Sequence, residues 1–86
     1  MNLTWKPPEL AVNRRTASLI PREADVLTGL CLGLTNSQIG RRLHLSEKTV
    51  KNYCTGLYQA LDARDRCHAI AIATSGRVDI RVEVGP

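Results

Sequence analysis

The chain has 86 residues, with 12 Lys and Arg against 8 Asp and Glu, a net charge of +4. So short a chain holds one core and leaves little wall for a deep catalytic pocket, which weighs against an enzyme. Its longest apolar run is far below the ~20 residues of a membrane-spanning helix, and no basic-then-apolar leader is expected at its start.

With two Tyr, one Trp and no Phe, the core must be built from Leu, Ile, Val and Ala. Cys31, Cys54 and Cys67 are an odd set without a C-x-x-C pair, so neither a disulfide framework nor a zinc site is expected, and a reducing cytoplasm fits. His44 and His68 have no companions at ligand spacing, so no metal is expected; no cofactor motif and no nucleophile–base set appears.

Residues 1–18 read as an extended arm, because Pro7-Pro8 forbids helix there. Trp5 is expected to anchor that arm on the core, and Arg14 and Arg15 to be solvated. From Pro21, a good first helical residue, Ala24, Leu27, Leu30, Cys31 and Leu34 recur at helical spacing, and Gly33 serves as a stop, giving a first helix over about 21–32. Cys31 and Cys54 lie on apolar faces and are expected in the core, leaving Cys67 as the one cysteine open to exposure.

Thr35-Asn36-Ser37-Gln38 has the form of a capping box and opens a short second helix, about 36–43, with Ile39 and Leu43 inward and Arg41 and Arg42 outward. After the turn His44-Leu45, Ser46 caps a third helix over about 47–61, with Glu47 favourable to its dipole and Gly56 a weak point. Asp65 caps a fourth helix, about 66–75, ended by Gly76. Residues 77–86 form a tail in which Val78, Ile80, Val82 and Val84 alternate with charged residues, the period of a strand. Three partners are open to such a strand: a second tail across a dimer axis, the segment Leu3–Lys6, or another protein.

The third helix carries the chemistry. Val50, Tyr53, Cys54, Leu57 and Leu61 share its core side, while Lys48, Lys51, Asn52, Thr55 and Gln59 share the other. Lys donates to guanine O6 and N7, Asn pairs with adenine in both directions, and the Thr methyl packs on a thymine methyl. A short helix, a tight turn and this helix together describe a helix-turn-helix lying in a major groove. Residues 36–59 hold four cations against Glu47, so the positive excess sits at the motif.

The ordered segments PRE-x-x-VL at Pro21–Leu27, GLTNSQIGRRL at Gly33–Leu43 and SEKTVKN at Ser46–Asn52 resemble the LuxR/FixJ-type (GerE-like) DNA-binding domain over residues 19–76. The resemblance implies an all-α, four-helix transcription regulator that dimerises through its fourth helix. It implies base contacts at Lys51 and Asn52, with Thr55 one turn on, and a phosphate contact at Thr49. Sensor domains usual in such proteins find no place in this chain, which resembles a stand-alone member or an excised domain.

Departures from the family pattern are Ile20 in place of a Thr or Ser cap, Tyr53 in place of His, Gly56 and Ala60 in place of larger polar residues, and Asp62 in place of Gly. Loss of a basic residue at Ala60 removes a phosphate contact.

The resulting expectation is a reader of double-stranded DNA with Lys48, Lys51, Asn52 and Thr55 on the bases. Thr35, Asn36, Arg41, Arg42 and Thr49 are expected on the phosphates, the first two through the N-terminus of the second helix. The fourth helix, apolar nearly all round, is expected to meet a second copy near Cys67, His68, Ala71 and Thr74, with the tail contributing. The rival readings are a protein-interaction module for another regulator or RNA polymerase on the same scaffold, and region four of a sigma factor.

Overall fold

A computed structural model describes residues 15–83. Trp5, Leu3–Lys6 and Arg14 lie outside the described residues. The elements run β1 (Arg15–Leu19), α1 (Pro21–Cys31), α2 (Asn36–Leu43), α3 (Glu47–Leu61), α4 (Arg66–Ser75) and β2 (Val78–Val82). Four helices therefore stand where the hydrophobic periods put them, with α1 one residue shorter than expected.

Local chemistry sets the ends. Thr35 Oγ1 accepts from the Gln38 backbone N–H at 3.1 Å and Gln38 Oε1 accepts from the Thr35 N–H at 2.9 Å, a complete capping box. Ser46 Oγ accepts from the Thr49 N–H at 3.1 Å, and Asp65 Oδ1 accepts from the His68 N–H at 2.8 Å. Ile20 has no oxygen to offer α1, so only the return half of its box forms, from the Ile20 N–H to Glu23 Oε1 at 3.0 Å.

The helices stop in left-handed turns. Gly33 has φ 78°, His44 φ 60° and Asp62 φ 56°. At Asp62 the Ala63 N–H reaches the Tyr58 carbonyl and the Asp62 N–H the Gln59 carbonyl, which closes the end of α3 in a Schellman motif.

The core is Ala17 and Leu19 of β1, Val26, Leu27 and Leu30 of α1, Ile39 of α2, Val50, Cys54, Leu57 and Leu61 of α3, and Ala69 of α4. Each buried Leu or Ile is worth roughly 2–5 kcal/mol against truncation to Ala. Cys31 is exposed, against expectation, and Val26 takes its place inside. The stripe on α1 is rotated toward the larger apolar side chain, which removes more surface from water. Cys67 is exposed as expected.

The tail's partner is one the alternation could not reveal. β2 pairs in parallel with β1 of the same chain, in the register Arg15↔Val78 through Leu19↔Val82. Hence the strand period holds over Val78–Val82, and residues 15–19 supply one neighbour that the alternation did not name. Arg15 is likewise not merely solvated. Its Nη2 donates to the Leu61 carbonyl at the end of α3, and its Nη1 lies 3.6 Å from Asp62 Oδ2.

Candidate nucleic-acid interface

α2 and α3 meet across the His44-Leu45 turn, which is tight for an identifiable reason. A Cβ on Gly40 would stand 2.5 Å from the Leu45 backbone oxygen, so only glycine lets the turn lie against α2. On the other side of α2, Ile39 occupies the space above Gly29 of α1, where a Cβ would stand 2.6 Å from Ile39 Cγ1. These two close approaches fix α2 between α1 and the start of α3.

With α3 held by Val50, Cys54, Leu57 and Leu61, its opposite face is open. Lys48, Lys51, Asn52, Thr55 and Gln59 are all exposed. Thr55 Oγ1 donates back to the Lys51 carbonyl at 3.3 Å. Lys48, Lys51 and Asn52 share a shallow concavity with Asn36 and Glu47 at the mouth of the α2–α3 angle. So the structure brings three of the four expected base-reading residues into one depression, with Thr55 about a turn further along.

Glu47 is the residue that the outward-face reading omitted. Its carboxylate borders the same concavity as the two lysines. Its place four residues before Lys51 was the available signal.

The five expected phosphate ligands are differently placed. Thr35, Arg41 and Arg42 are exposed, and Asn36 and Thr49 are half-buried. Both arginines stand in the last turn of α2, where a cation is favourable to the helix dipole. Arg42 also borders an apolar groove between α1 and α2 with Asp25, Leu32 and Leu43. Thr49 Oγ1 accepts from Ser46 Oγ at 2.8 Å and keeps its own proton to donate.

Asn36 is held from behind. Its Oδ1 accepts from Arg66 Nη1 at 3.4 Å and lies 3.9 Å from Cys54 Sγ, while Arg66 Nη2 donates to the Leu34 carbonyl. These contacts occupy Oδ1, so the groups Asn36 has for an anion are its Nδ2 donors and its backbone N–H at the first turn of α2. Arg66 ties α4 to the α1–α2 turn. Its one sequence signal was a cation in the first turn of a helix, where the dipole gives it no welcome.

Beneath the interface, burial pushes the Cys54 thiol above its ordinary value, partly offset by its hydrogen bond with Tyr58 and the charge of Arg66. Burial, then Cys54, raises the Tyr58 hydroxyl as well. Both groups are neutral packing elements near neutral pH.

On α4, Cys67, Ala71 and Thr74 are exposed along one stripe, and His68 is half-buried. The His68 Nδ1 accepts from the Arg64 N–H at 3.0 Å, so its ring belongs to the α3–α4 loop. Thr74 Oγ1 donates to the Ile70 carbonyl at 2.9 Å.

Comparison with known proteins bears on this arrangement. The profile of GerE, described as bacterial regulatory proteins of the luxR family, matches residues 17–73. The chain is 40% identical over 68 residues to the uncharacterized transcriptional regulatory protein YvfU of Bacillus subtilis strain 168, a match that covers 77% of this chain and 34% of that protein. It is 40% identical over 52 residues to the transcriptional regulatory protein DegU of Brevibacillus brevis, covering 60% and 22%. It is 43% identical over 58 residues to the DNA-binding transcriptional activator DevR/DosR of Mycobacterium tuberculosis, covering 67% and 27%. The matches thus span about a third or less of each relative's length.

Proposed function

The chain belongs to the luxR family of bacterial regulatory proteins, and from that premise we propose that it binds double-stranded DNA sequence-specifically and regulates transcription, with α3 in the major groove. The observation that carries this reading is the face of α3 on which Lys48, Lys51, Asn52 and Thr55 are exposed, beside an α2 seated closely on α1 and on the turn. Lys48 and Lys51 donate to guanine, Asn52 pairs with adenine, and Thr55 rests its methyl on thymine. Glu47, at the rim, accepts from cytosine N4 and repels phosphate, which adds discrimination at a cost in affinity.

Register on the duplex comes from the backbone contacts. Thr35 and the Asn36 N–H present the start of α2 to one phosphate, Thr49 serves a second at the start of α3, and Arg41 and Arg42 add charge. The regulator acts as a homodimer through the α4 stripe of Cys67, Ala71 and Thr74, with His68 shaping its approach; small side chains there admit a second helix closely. A reader of chromosomal operators works in the cytoplasm at the nucleoid. Among the described residues no helix is long and apolar enough to cross a membrane, and no group of three His, Cys, Asp or Glu could hold a metal.

Fluorescence anisotropy on a selected duplex tests the reading. Lys51→Ala is expected to cost roughly 1–3 kcal/mol on that site and much less on unrelated DNA. Affinity of the unaltered chain is expected to fall steeply with salt, because several cations displace condensed counterions. Equal binding by Lys51→Ala and the unaltered chain contradicts the docking of α3.

A further inference from the structure

A two-stranded parallel sheet leaves two edges, and β2 carries an unusual one. Among the described residues, β2 pairs with β1 alone. The Glu83 N–H donates to the Leu19 carbonyl at 2.7 Å. Backbone groups alternate along a strand, so residues 79, 81 and 83 point their N–H and C=O toward β1. Residues 78, 80 and 82 then point theirs to the opposite edge.

The sequence of that strand is complementary to itself. Read Arg77-Val78-Asp79-Ile80-Arg81-Val82-Glu83 against a second copy running antiparallel, with the twofold at Ile80. Ile80 meets Ile80, Val78 meets Val82, Asp79 meets Arg81, and Arg77 meets Glu83. Every apolar residue faces an apolar one and every charge faces its opposite. A shift of the axis by one residue breaks this match, setting Asp79 on Asp79 and Arg77 on Arg81, or Arg81 on Arg81 and Asp79 on Glu83.

Hydrogen-bond parity is compatible with this register. With the axis at Ile80, the directly bonded pairs are 80–80, 78–82 and 82–78, the three positions whose backbone groups face the open edge. The charged pairs then fall at non-hydrogen-bonded positions, where side chains of opposite strands come closest. Val82 is 45% exposed and would lie opposite Val78 of the second copy, on the face that packs toward the core.

We infer that the outer edge of β2 is a self-association surface, on which two copies join antiparallel about Ile80 into one four-stranded sheet, β1-β2-β2-β1. This deepens the dimer reading above and rests on it for the presence of a second copy. It uses a surface separate from the α4 stripe, so the two can fail independently. An edge that is satisfied by its own kind is also protected from indiscriminate strand addition.

The test is sedimentation equilibrium of the full chain with a charge reversal and its compensation. Asp79→Arg places two like-charged pairs across the axis and is expected to weaken dimerisation about tenfold or more. Adding Arg81→Asp to it restores opposite pairs and is expected to return the dimer. Asp79 and Arg81 stand opposite Thr16 and Ser18 of β1, and thermal unfolding of each variant, followed alongside, separates loss of the dimer from loss of the fold. Val82→Pro removes an N–H that faces only the open edge and is expected to weaken the dimer without loss of helix. Ala71→Arg on α4 separates the two surfaces. Dissociation by Ala71→Arg together with indifference to Asp79→Arg overturns the β2 inference and leaves the α4 reading standing. Failure of the double variant to recover, or a chain that stays monomeric at hundreds of micromolar, overturns it as well.

Discussion

Two glycines show how differently the same substitution acts within one domain. At Gly40 the atom in the way is a backbone oxygen, that of Leu45 at 2.5 Å, which cannot move without opening the helix-turn-helix angle. Gly40→Ala is therefore expected to cost about 1–3 kcal/mol, read as a lower urea midpoint at unchanged slope, and to weaken DNA binding further by displacing α3. At Gly56 the atom in the way is Glu23 Oε2 at 2.6 Å, the far end of a flexible side chain. There the helical gain of Ala over Gly, roughly 1 kcal/mol, offsets the loss of Glu23 from the Ile20 N–H, also about 1 kcal/mol. Gly56→Ala is expected to be nearly neutral in the same urea titration. Nothing in a single sequence separates these two glycines, because the distinction lies in what packs against them.

Cys54 gives a prediction in pH. Its folded pKa is raised above an unfolded value of 9.0, so the native state holds the proton longer than the unfolded chain. That stabilisation is complete below about pH 9 and is lost as pH rises through the folded pKa. Tyr58, raised from 10.0, acts in the same direction. Stability is expected to decline in alkali, and less steeply in Cys54→Ala, when melting temperatures are followed from pH 8 to 11. In the native protein at neutral pH, a thiol reagent should titrate Cys31 and Cys67 quickly and Cys54 only on unfolding.

Among the described residues, the ends of α2 and α3 are the two positions where a non-glycine residue, His44 and Asp62, holds a left-handed backbone. Asp62 holds φ 56°, tolerable for Asp and easier for Gly. Its compensation is an ion pair with Arg15 at 3.6 Å whose carboxylate side is 91% exposed, worth little in water. Asp62→Gly is expected to stabilise the domain by about 0.5–1 kcal/mol in thermal unfolding. This position was legible in the sequence because the stop signal, a residue tolerant of the left-handed region after a run of helical period, is local. The four helices, their Thr35, Ser46 and Asp65 caps and the strand period of the tail were legible for the same reason.

What escaped was long-range. Arg15 on Leu61, Arg66 on Asn36 and Leu34, and β1 beside β2 join positions tens of residues apart, and no periodicity encodes them. Cys31 was misassigned because the stripe through Leu27 and Leu30 can be completed on either flank. Only the packing of α3 and α4 on α1 selects Val26.

At the scale of the molecule, the sheet closes the chain's two described ends on each other while α2 and α3 face away into solvent. Among the described residues, a small core thus carries the exposed face of α3 on one side and, on another, the edge of β2 that β1 does not cover, the two surfaces on which the proposals above rest. Of the candidate site, the α3 face was readable from residue types and spacing. The hold of Arg66 on the Asn36 amide oxygen was not, since it joins α4 to α2 across the fold.

The central claim is that side chains at positions 48–55 of α3 read base edges. It is tested most directly by selecting bound duplexes from a random pool with the unaltered chain and with Asn52→Ala. The account predicts a defined motif for the unaltered chain, with one adenine position relaxed in the variant. The same motif at the same strength from both proteins, or no enrichment by the unaltered chain at low salt, would contradict it.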